Sequence, residues 1–401
     1  MRAGGAYSMN WHTDGNTLII SLEGRLDALS SEHVQAEIGQ CISRYPGFSL
    51  CLDLDSLTYI SSSGIRILIS LQKNQPEKLL IRNASPEVYE VLDITGVTSL
   101  MDVRRKPRPI SVDGCEIIGQ GAFGTVYRLD GDTVVKVFGG GESSLPGIEK
   151  ELTNAKQAFL SGIPTAIPFD VVRVGEHYGM VFELIDARNC NDCIRDDPAI
   201  LDELIPKFAA FLKNLHSLES RSENLRVIRN NYLHYMETIS PHLDPAVAAR
   251  LKELLQQLPA TRRMIHGDIQ LKNVMISRGE MILIDMDHLA LGDPVFEFAG
   301  LFAPYIAFNE DDPGDSLRFL GIDGKTCERI FTETLDTYLG DKDEAFRREA
   351  LLKIQVAGYL RFMKILLIEL ADVHSDLHSL QVRHAAEHLA ELVPRISTLA
   401  L

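Results

Sequence analysis

The sequence predicts two domains of different fold class: an N-terminal α/β domain, then a bilobal α+β domain with a mainly helical C-terminal lobe. The chain has 401 residues, more than one ordinary hydrophobic core supports. Strand and helix patterns alternate in its first part, and strands followed by long amphipathic helices fill the rest. We expect domains at 8–104 and 111–401, a linker at 105–110, and lobes at about 111–185 and 186–401.

The composition excludes several classes of protein. With 45% hydrophobic and 24% charged residues, the chain resembles a soluble globular protein. No apolar run approaches the roughly 18 residues of a membrane span, and the N-terminus lacks a signal-peptide core. The formal charge of −16 disfavours nucleic acid as a partner. We therefore expect a cytoplasmic protein that binds neither membranes nor nucleic acid.

Six cysteines are too few for a disulfide framework in a chain of this length. The one CxxC pair, Cys190 and Cys193, has no second pair and no pair of histidines nearby. A structural zinc site needs four such ligands. We interpret this segment as a surface loop, not as a metal or redox site.

The elements of the first domain follow from its periodicity. Alternating apolar and polar residues predict strands at 17–27 and 49–60, and the apolar "KLLIRNA" predicts a third at 78–84. Four-residue spacing of Val34, Ile38 and Ile42 predicts a helix between the first two strands, with Ser30 or Ser31 as its N-cap. Two further segments begin with serine and read as helices: "SSSGIRILISLQKN" and "SPEVYEVLDITG", which ends at a glycine.

Three stretches of this domain, "SLEGRLD", "LDLDSLTYISSSGIRILISL" and "YEVLDITGVTSLMDV", resemble the sulfate transporter and anti-sigma factor antagonist (STAS) family. The resemblance covers residues 8–104. Since no membrane span is predicted, we expect the regulatory branch of that family and not the transporters. It implies that a signalling protein docks on this domain.

In that family a serine at the start of this helix is phosphorylated by a partner kinase, and the phosphate controls docking. Ser63 matches the phosphoacceptor by position and Ser62 is its neighbour, although serine stands where the best-known members have aspartate. A phosphate at a helix N-terminus is stabilised by free backbone N–H groups and the helix dipole. Three serines before an apolar helix also serve as plain caps, so both interpretations stay open.

The second domain opens with a glycine-rich pattern. Gly119, Gly121 and Gly124 form G-x-G-x-x-G, followed by Val126, a "DGD" turn and a strand with Lys136 in its middle. A dinucleotide fold would place a helix directly after the glycines. Strand, loop, strand, turn, strand is instead typical of a loop that covers the phosphates of a nucleotide.

A lysine on a buried strand needs a carboxylate partner. The helical segment after the strand offers Glu149 or Glu151, and we prefer Glu151. Such a pair would hold Lys136 against the α and β phosphates of a nucleotide. An ordinary surface charge is the alternative for either glutamate.

The segment "MIHGDIQLKNVMIS" contains His266, Gly267, Asp268 and Asn273, and Asp285 and Asp287 follow at the end of an apolar strand. Phosphoryl transfer needs a carboxylate to orient the attacking hydroxyl and oxygen ligands for Mg²⁺. We assign the first role to Asp268 and the second to Asn273 and Asp285. Asp287 either contacts a second metal ion or only turns the chain, and we expect His266 to be structural.

In this order the elements resemble the protein-kinase-like fold over residues 111–401. H-G-D-x-x-x-x-N followed by "IDMDHLALGDPVFEFA" is more similar to the aminoglycoside phosphotransferase and choline kinase family than to protein kinases. The resemblance implies that Phe182 is the gatekeeper of the nucleotide site and that backbone atoms of Glu183 and Ile185 meet adenine. Glu297 stands where the family usually has aspartate.

These residues predict an ATP- and Mg²⁺-dependent phosphotransferase coupled to a regulatory module. The family resemblance favours a small hydroxyl compound such as an aminoglycoside, choline or a sugar as the acceptor. The attached module makes a protein serine, Ser62 or Ser63, a further candidate. The alternative function is a non-catalytic adaptor that binds nucleotide in one domain and a signalling protein on the other.

Overall fold

The computed structural model describes residues 7–121, 124–222 and 225–401, with only the backbone described at residues 142 and 143. It divides the chain into two units, Met1–Ile110 and Ser111–Leu401. Within the described ranges, none of the helices combines the length and the apolar character that a membrane span requires.

The first unit is a mixed sheet with helices packed on it. Its elements are β1 (Ser8–Asp14), β2 (Thr17–Leu26), α1 (Ser31–Arg44), β3 (Ser49–Asp53), β4 (Leu57–Ile60), α2 (Ser62–Lys73), β5 (Leu80–Ala84), α3 (Pro86–Ile94), α4 (Val97–Leu100) and β6 (Asp102–Arg105). The strand order is β1-β2-β3-β5-β6, with β4 also paired to β2. β1 runs antiparallel to β2, whereas the other pairs are parallel. The α/β class predicted for this unit is confirmed.

The apolar periodicity of the strands and helices forms one core in this unit. Ile20, Leu52 and Ile81 from three neighbouring strands pack with Ile38 of α1 and Leu68 of α2, and all five are fully buried. Strand β1 was not predicted, because its outward-facing residues lack an apolar alternation. The strand predicted at 49–60 is divided in two, since the chain turns where Leu57 N–H donates to Leu54 O.

The predicted linker contains strand residues. Arg105 is the last residue of β6, and Arg108–Ile110 form a further short strand, β7. Only residues 106 and 107 lie between the two strands.

The second unit begins with an antiparallel sheet and one helix. Its elements are β8 (Ile117–Gly121), β9 (Gly124–Arg128), β10 (Thr133–Phe138), α5 (Leu145–Leu160), β11 (Pro168–Val174) and β12 (His177–Glu183). Hydrogen-bonded neighbours follow the order β8-β9-β10-β12-β11, so β10 lies inside the sheet. A side chain in the middle of β10 is therefore held on a rigid support.

The remaining part of this unit is mainly helical. Its elements are β13 (Arg188–Asn189), α6 (Cys190–Asp196), α7 (Leu201–Ser217), β14 (Arg226–Val227), α8 (Ile228–Ile239), α9 (Pro245–Gln257), β15 (Met264–Ile265), β16 (Val274–Ser277), β17 (Glu280–Leu283), β18 (Ala290–Leu291), α10 (Pro294–Phe302), α11 (Phe308–Asp311), α12 (Asp315–Leu320), α13 (Gly324–Leu339), α14 (Glu344–Lys364) and α15 (Asp376–Leu392). Single turns of 3₁₀-helix at Leu271–Asn273 and Met286–His288 and π-helical turns at Ala303–Ala307 and Ile365–Glu369 join some of them.

Helices α10 and α14 pack closely because a glycine lies at their contact. A Cβ built on Gly358 of α14 would lie 2.2 Å from Cδ1 of Phe302 on α10. Any larger residue at this position would push the helices apart. Both helices contact the segment that contains Asp268. Arg361, near the C-terminal end of α14, reaches Gly267 and Asp268, and Glu297 of α10 reaches His266 and Gly267.

The interpretation of Cys190 and Cys193 as a surface loop was wrong. Both residues lie on α6 and are buried, and burial raises the pKa of the Cys190 thiol to about 12. Among the described residues, no group of three or more His, Cys, Asp or Glu side chains is arranged to hold a metal ion. These cysteines are core residues of the helical part.

Candidate active site

The ammonium group of Lys136 joins three elements of the second unit. Its Nζ lies 3.1 Å from Oε1 of Glu151 on α5 and 2.5 Å from Oδ1 of Asp285, which follows β17. The Lys136 side chain is 16% exposed and that of Glu151 only 8%. Of the two glutamates considered from the sequence, Glu151 is the one placed against Lys136.

Two carboxylates share this one ammonium, the buried Glu151 and the exposed Asp285. Burial raises the pKa of Glu151 to about 7, although Lys136 acts in the opposite direction. Burial also opposes the charge of Lys136, but Asp285 and Glu151 outweigh it and raise the lysine pKa. Desolvation and a second nearby carboxylate both disfavour an ionised glutamate. The lysine thus stays charged while Glu151 titrates near neutrality.

A cavity of about 660 Å³ opens beside Lys136. The predicted nucleotide-binding residues that line it are Gly119, Val126, Lys136, Glu151, Phe182, Glu183 and Ile185, and Asp285, predicted to hold the metal ion, lines it as well. Apolar side chains, among them Val134, Met275 and Ile284, form much of its wall. A volume of this size and character is typical of a site for a small ligand.

Gly121 and Gly124 are not among the residues that line the cavity. A Cβ on Gly124 would lie 2.3 Å from Val137 O, so this glycine permits the close approach of β9 and β10. A Cβ on Gly121 would meet no atom within 4 Å. Their assignment as phosphate-binding glycines stays a prediction.

The segment after β12 has a partly engaged backbone. Glu183 N–H donates to Ile167 O at 3.0 Å and Leu184 N–H to Asp132 O at 2.7 Å. Among the described hydrogen bonds, none has the Ile185 N–H as its donor. Ile185 is also one of the residues that line the cavity.

The carboxylate of Asp268 is held by a cation from a distant helix. Arg361 Nη2 lies 2.5 Å from Asp268 Oδ1, and Arg361 Nη1 donates to Gly267 O at 2.9 Å. Gln270 Nε2 donates to the same carboxylate at 3.2 Å. Although burial opposes ionisation, the charge of Arg361, more than that of any other neighbour, lowers the pKa of Asp268 to about 2. Asp268 is therefore ionised and oriented at neutral pH.

Asn273 is oriented by the same loop. Its Nδ2 donates to Asp268 O at 2.9 Å, and the Asn273 side chain is buried. Since the side-chain nitrogen is used in this way, the side-chain oxygen Oδ1 of Asn273 remains for another partner. The loop thus carries one oriented carboxylate and one oriented amide.

Glu297, on α10, supports the backbone of this loop. Its two carboxylate oxygens accept hydrogen bonds from His266 N–H at 2.7 Å and Gly267 N–H at 3.0 Å. His216 Nε2 lies 3.4 Å from the same group, and these partners lower the pKa of Glu297 against its burial. The Glu297 side chain thus fixes the backbone of the loop that carries Asp268.

Gly267 has a steric reason to be glycine. Its φ is +80°, and a Cβ would lie 2.4 Å from His288 O. The left-handed conformation and the close approach both disfavour a side chain. His266 is fully buried, with Nε2 3.0 Å from Ile284 O, so it ties the loop to the segment after β17.

Asp285 occupies an unusual backbone conformation, with φ +60° and ψ +66°. Only two other described residues besides glycine have positive φ, Asn83 and Arg278. Such strain is found where the surrounding structure enforces it, often at functional sites. Asp287 follows in the same turn, and Asn154 of α5 donates to Asp287 O at 3.1 Å.

The donor set suits Mg²⁺ better than a softer ion. One amide oxygen, from Asn273, and two carboxylates, from Asp285 and Asp287, are hard ligands, and Mg²⁺ takes few protein carboxylates together with phosphates and water. Burial and the charges of Asp268 and Asp285 raise the pKa of Asp287, so a cation there would relieve repulsion.

Sequence reasoning did not identify Arg361, and it gave no supporting role to Glu297. The signal for Arg361 was present in "VAGYLRFMKILL", where two cations three residues apart, Arg361 and Lys364, interrupt an apolar helix. Charged residues are rarely buried unless they are paired. Both are buried here, so each requires a partner.

In the first unit the three serines take different positions at the start of α2. Ser61 is the N-cap, and its side chain accepts from Gly64 N–H at 3.4 Å. Ser62 is exposed and Ser63 half-buried. A Cβ on Gly64 would lie 2.8 Å from side-chain atoms of Ile60 and Leu26, which explains the glycine.

Comparison with known families gives a match for each unit. Residues 114–325 match the sequence model described as "Phosphotransferase enzyme family". Residues 9–102 match the one described as "Mlab, STAS domain". Together the two matched ranges cover most of the chain.

Among curated proteins, BtrV of Bordetella bronchiseptica, named as an anti-sigma factor antagonist, is 30% identical over 89 residues, which is 21% of this chain and 76% of that protein. The anti-sigma F factor antagonist of Paenibacillus polymyxa is 27% identical over 89 residues, with the same coverage of 21% and 76%.

Two solved structures are similar over most of the chain. A choline/ethanolamine kinase family protein from Mesorhizobium loti is 16% identical with a TM-score of 0.46, covering 69% of this chain and 87% of that one. The streptomycin–ATP complex of APH(2")-IIa is 16% identical with a TM-score of 0.46, covering 77% and 98%.

Proposed function

Because the chain belongs to the phosphotransferase enzyme family, we propose that its second domain is an active phosphotransferase that uses ATP and Mg²⁺ to phosphorylate a hydroxyl group. One observation carries the proposal. Lys136 lies between Glu151 and Asp285 at the wall of the 660 Å³ cavity. A fixed ammonium beside a cavity of nucleotide size is the feature that this chemistry needs.

The cavity offers a place for the adenine ring and another for the phosphates of a nucleotide. Apolar side chains suit the adenine ring, and Ile185, whose N–H donates none of the described hydrogen bonds, also lines the cavity. Phe182, on β12, lines the cavity and would serve as its gatekeeper. Lys136 would neutralise the α and β phosphates, and Glu151 would keep the lysine in place.

Asp268 would act on the acceptor. Its ionised carboxylate accepts a hydrogen bond from the attacking hydroxyl and orients the oxygen toward the γ phosphorus. As the new O–P bond forms and the bond to the bridging oxygen of ADP breaks, the hydroxyl proton passes to Asp268. Because its pKa is about 2, the proton moves only late, once the hydroxyl has become strongly acidic. Bound Mg²⁺ neutralises phosphate charge, and Asn273, Asp285 and Asp287 are the residues that would hold it.

The test compares the Kd for ATP with the rate of ADP formation in the presence of an acceptor. Asp268→Asn should lower the rate of ADP formation by about 10²- to 10⁴-fold and change the Kd for ATP less than about 3-fold. Lys136→Met should weaken ATP binding itself. Asp341→Asn, an exposed carboxylate far along the chain, serves as the matched control and should change neither quantity. An Asp268→Asn variant with unchanged turnover would remove Asp268 from the reaction. Nucleotide binding without turnover of any acceptor would favour the adaptor function.

The N-terminal domain is a STAS domain, and we propose Ser63, or its neighbour Ser62, as its phosphorylation site. Ser61 already caps α2, so Ser62 and Ser63 are not needed for that role. A phosphate on either serine would lie at the first turn of a 12-residue helix, where backbone N–H groups and the dipole stabilise it. The added charge would alter the surface that a signalling protein contacts.

Phosphopeptide mapping after incubation with labelled ATP and Mg²⁺ tests this site. Label is expected on Ser62 or Ser63 and absent from Ser61, and the Ser63→Ala and Ser62→Ala variants identify which one carries it. Mixing the Asp268→Asn chain with active chain shows whether the transfer occurs between molecules. If neither this protein nor a partner kinase labels the two serines, the site is refuted.

A further inference from the structure

A small depression next to Asp268 carries three cations. Its described lining includes Arg226 of β14 and both Arg361 and Lys364 of α14. None of the described residues that line it is Asp or Glu. Gly267, the neighbour of Asp268 in the chain, also borders it, so the depression lies on the acceptor side of the proposed reaction.

The three cations are not fully compensated by the protein. Arg361 pairs with Asp268, and Lys364 pairs with Glu369. Arg226 has no ion pair within 4 Å in the part of the chain that the structure describes. Two of the three cations thus have an ion-pair partner, whereas Arg226 interacts with the Asp287 carboxylate only over a longer distance.

Two donors in this cluster lack an acceptor. The buried Nε atoms of Arg226 and Arg361 have no hydrogen-bond partner within the described ranges. An unsatisfied buried donor on a charged group is costly, and few native structures retain it without a reason. Burial lowers the pKa of Arg226 and of Lys364, which agrees with incomplete compensation by neighbouring carboxylates.

We propose that this depression binds an anionic group, a phosphate or a carboxylate, on the small hydroxyl compound that the second domain phosphorylates. A guanidinium offers paired donors that match the oxygens of such groups. A cationic acceptor, such as an aminoglycoside or choline, would meet repulsion from Arg226 and Lys364. The inference deepens the proposed function and rests on it.

The size of the site favours a compact group. The depression measures about 20 Å³, which admits a small group and excludes a sugar ring. Tyr232 and Tyr235 form its side, with Lys364 Nζ 5.6 Å from the centre of the Tyr235 ring. The anionic group would enter the depression while the hydroxyl remains beside Asp268.

The first test measures turnover with matched acceptors on the full chain. Ribose with ribose 5-phosphate and glycerol with glycerate are neutral and anionic pairs, and choline and kanamycin are the cationic acceptors. The anionic member of a pair should have the higher kcat/KM. Arg226→Gln should raise its KM about 10- to 100-fold, change kcat less than about 3-fold, and leave the neutral member unaffected. Lys364→Gln should act in the same direction. Arg221→Gln, an exposed arginine near the same strand, is the control.

Higher kcat/KM with choline or kanamycin, or an unchanged KM in Arg226→Gln, would overturn the inference. So would label on Ser62 or Ser63 combined with no turnover of any anionic compound.

The second test does not depend on turnover. Titration with inorganic phosphate should show binding that Arg226→Gln weakens at least about 10-fold and Lys136→Met retains. If the chain neither binds ATP nor turns over any acceptor, the proposed function is wrong. The phosphate titration still tests the anion site in that case, because it does not require turnover. Phosphate that does not bind, or whose binding is lost only in Lys136→Met, refutes the anion site.

Discussion

Arg361 Nη2 lies 2.5 Å from Asp268 Oδ1, although the two residues are 93 positions apart in the chain. The guanidinium is 8% exposed and the carboxylate 24%. The pair links the end of α14 to the loop that carries Asp268. The ionisation and direction of the candidate base thus depend on a helix far away in sequence.

A double-mutant cycle should measure this link. Arg361→Met leaves a buried carboxylate without its cation, so it should cost about 3–5 kcal/mol of unfolding free energy. Combined with Asp268→Asn, the loss should be smaller than the sum of the single losses by about 1–3 kcal/mol. Urea unfolding of the four proteins gives these values. Arg361→Lys should recover part of the turnover lost in Arg361→Met. Strict additivity would show that the pair contributes nothing to stability.

Gly267→Ala separates steric clash from backbone strain. Gly267 and Gly279 both have positive φ, +80° and +85°, but only Gly267 has an atom, His288 O, within 4 Å of a built Cβ. Gly279→Ala should therefore cost only the left-handed strain of about 1–2 kcal/mol. Gly267→Ala should cost clearly more and also lower ADP release. Thermal unfolding and ADP release check both variants, and equal effects would contradict the assigned contact.

Glu297→Gln should disturb the loop that carries Asp268, because Glu297 accepts hydrogen bonds from its backbone. A glutamine has one acceptor oxygen where the carboxylate has two, so His266 N–H or Gly267 N–H loses its acceptor. We expect a loss of about 1.5–3 kcal/mol in unfolding free energy and slower turnover, with an unchanged Kd for ATP. Glu280→Gln, at the exposed first position of β17, is the control. An unaffected turnover in Glu297→Gln would mean that the loop holds its position without these bonds.

Glu151→Gln should change stability in a pH-dependent way. The pKa of Glu151 is raised from 4.5 to about 7, so the folded state binds a proton more tightly than the unfolded state. The contribution of Glu151 to stability therefore decreases as pH rises from 4.5 to 7 and is constant above 7. Glutamine does not titrate, so Glu151→Gln should gain stability relative to the native chain over that window, by at most about 3 kcal/mol. The difference in Tm at pH 5, 6, 7 and 8 tests this, and a difference independent of pH contradicts the raised pKa.

The fold class of both domains was predictable because it depends on local periodicity. Alternation in β2 and four-residue spacing in α1 bury one face of each element, and the sequence displays both patterns directly. Strand β1 and the break between β3 and β4 were not predictable, because the first lacks alternation and the second is a turn inside an apolar run. The buried helix that carries Cys190 was missed for a similar reason: CxxC is short and has no periodicity of its own.

Part of the candidate site was likewise predictable from the sequence, and part was not. The sequence alone determined the order of Lys136, Asp268 and Asp285 and the residue types that phosphoryl transfer requires, since these lie in short motifs with fixed spacing. Only the tertiary structure placed Glu151 beside Lys136 and Arg361 beside Asp268. It also placed Arg226, which has no described ion-pair partner, in the depression next to Asp268. Those relationships depend on how closely α14 packs on α10 and how β10 lies in its sheet. Packing joins residues far apart in the chain, and no local pattern records which of them will meet.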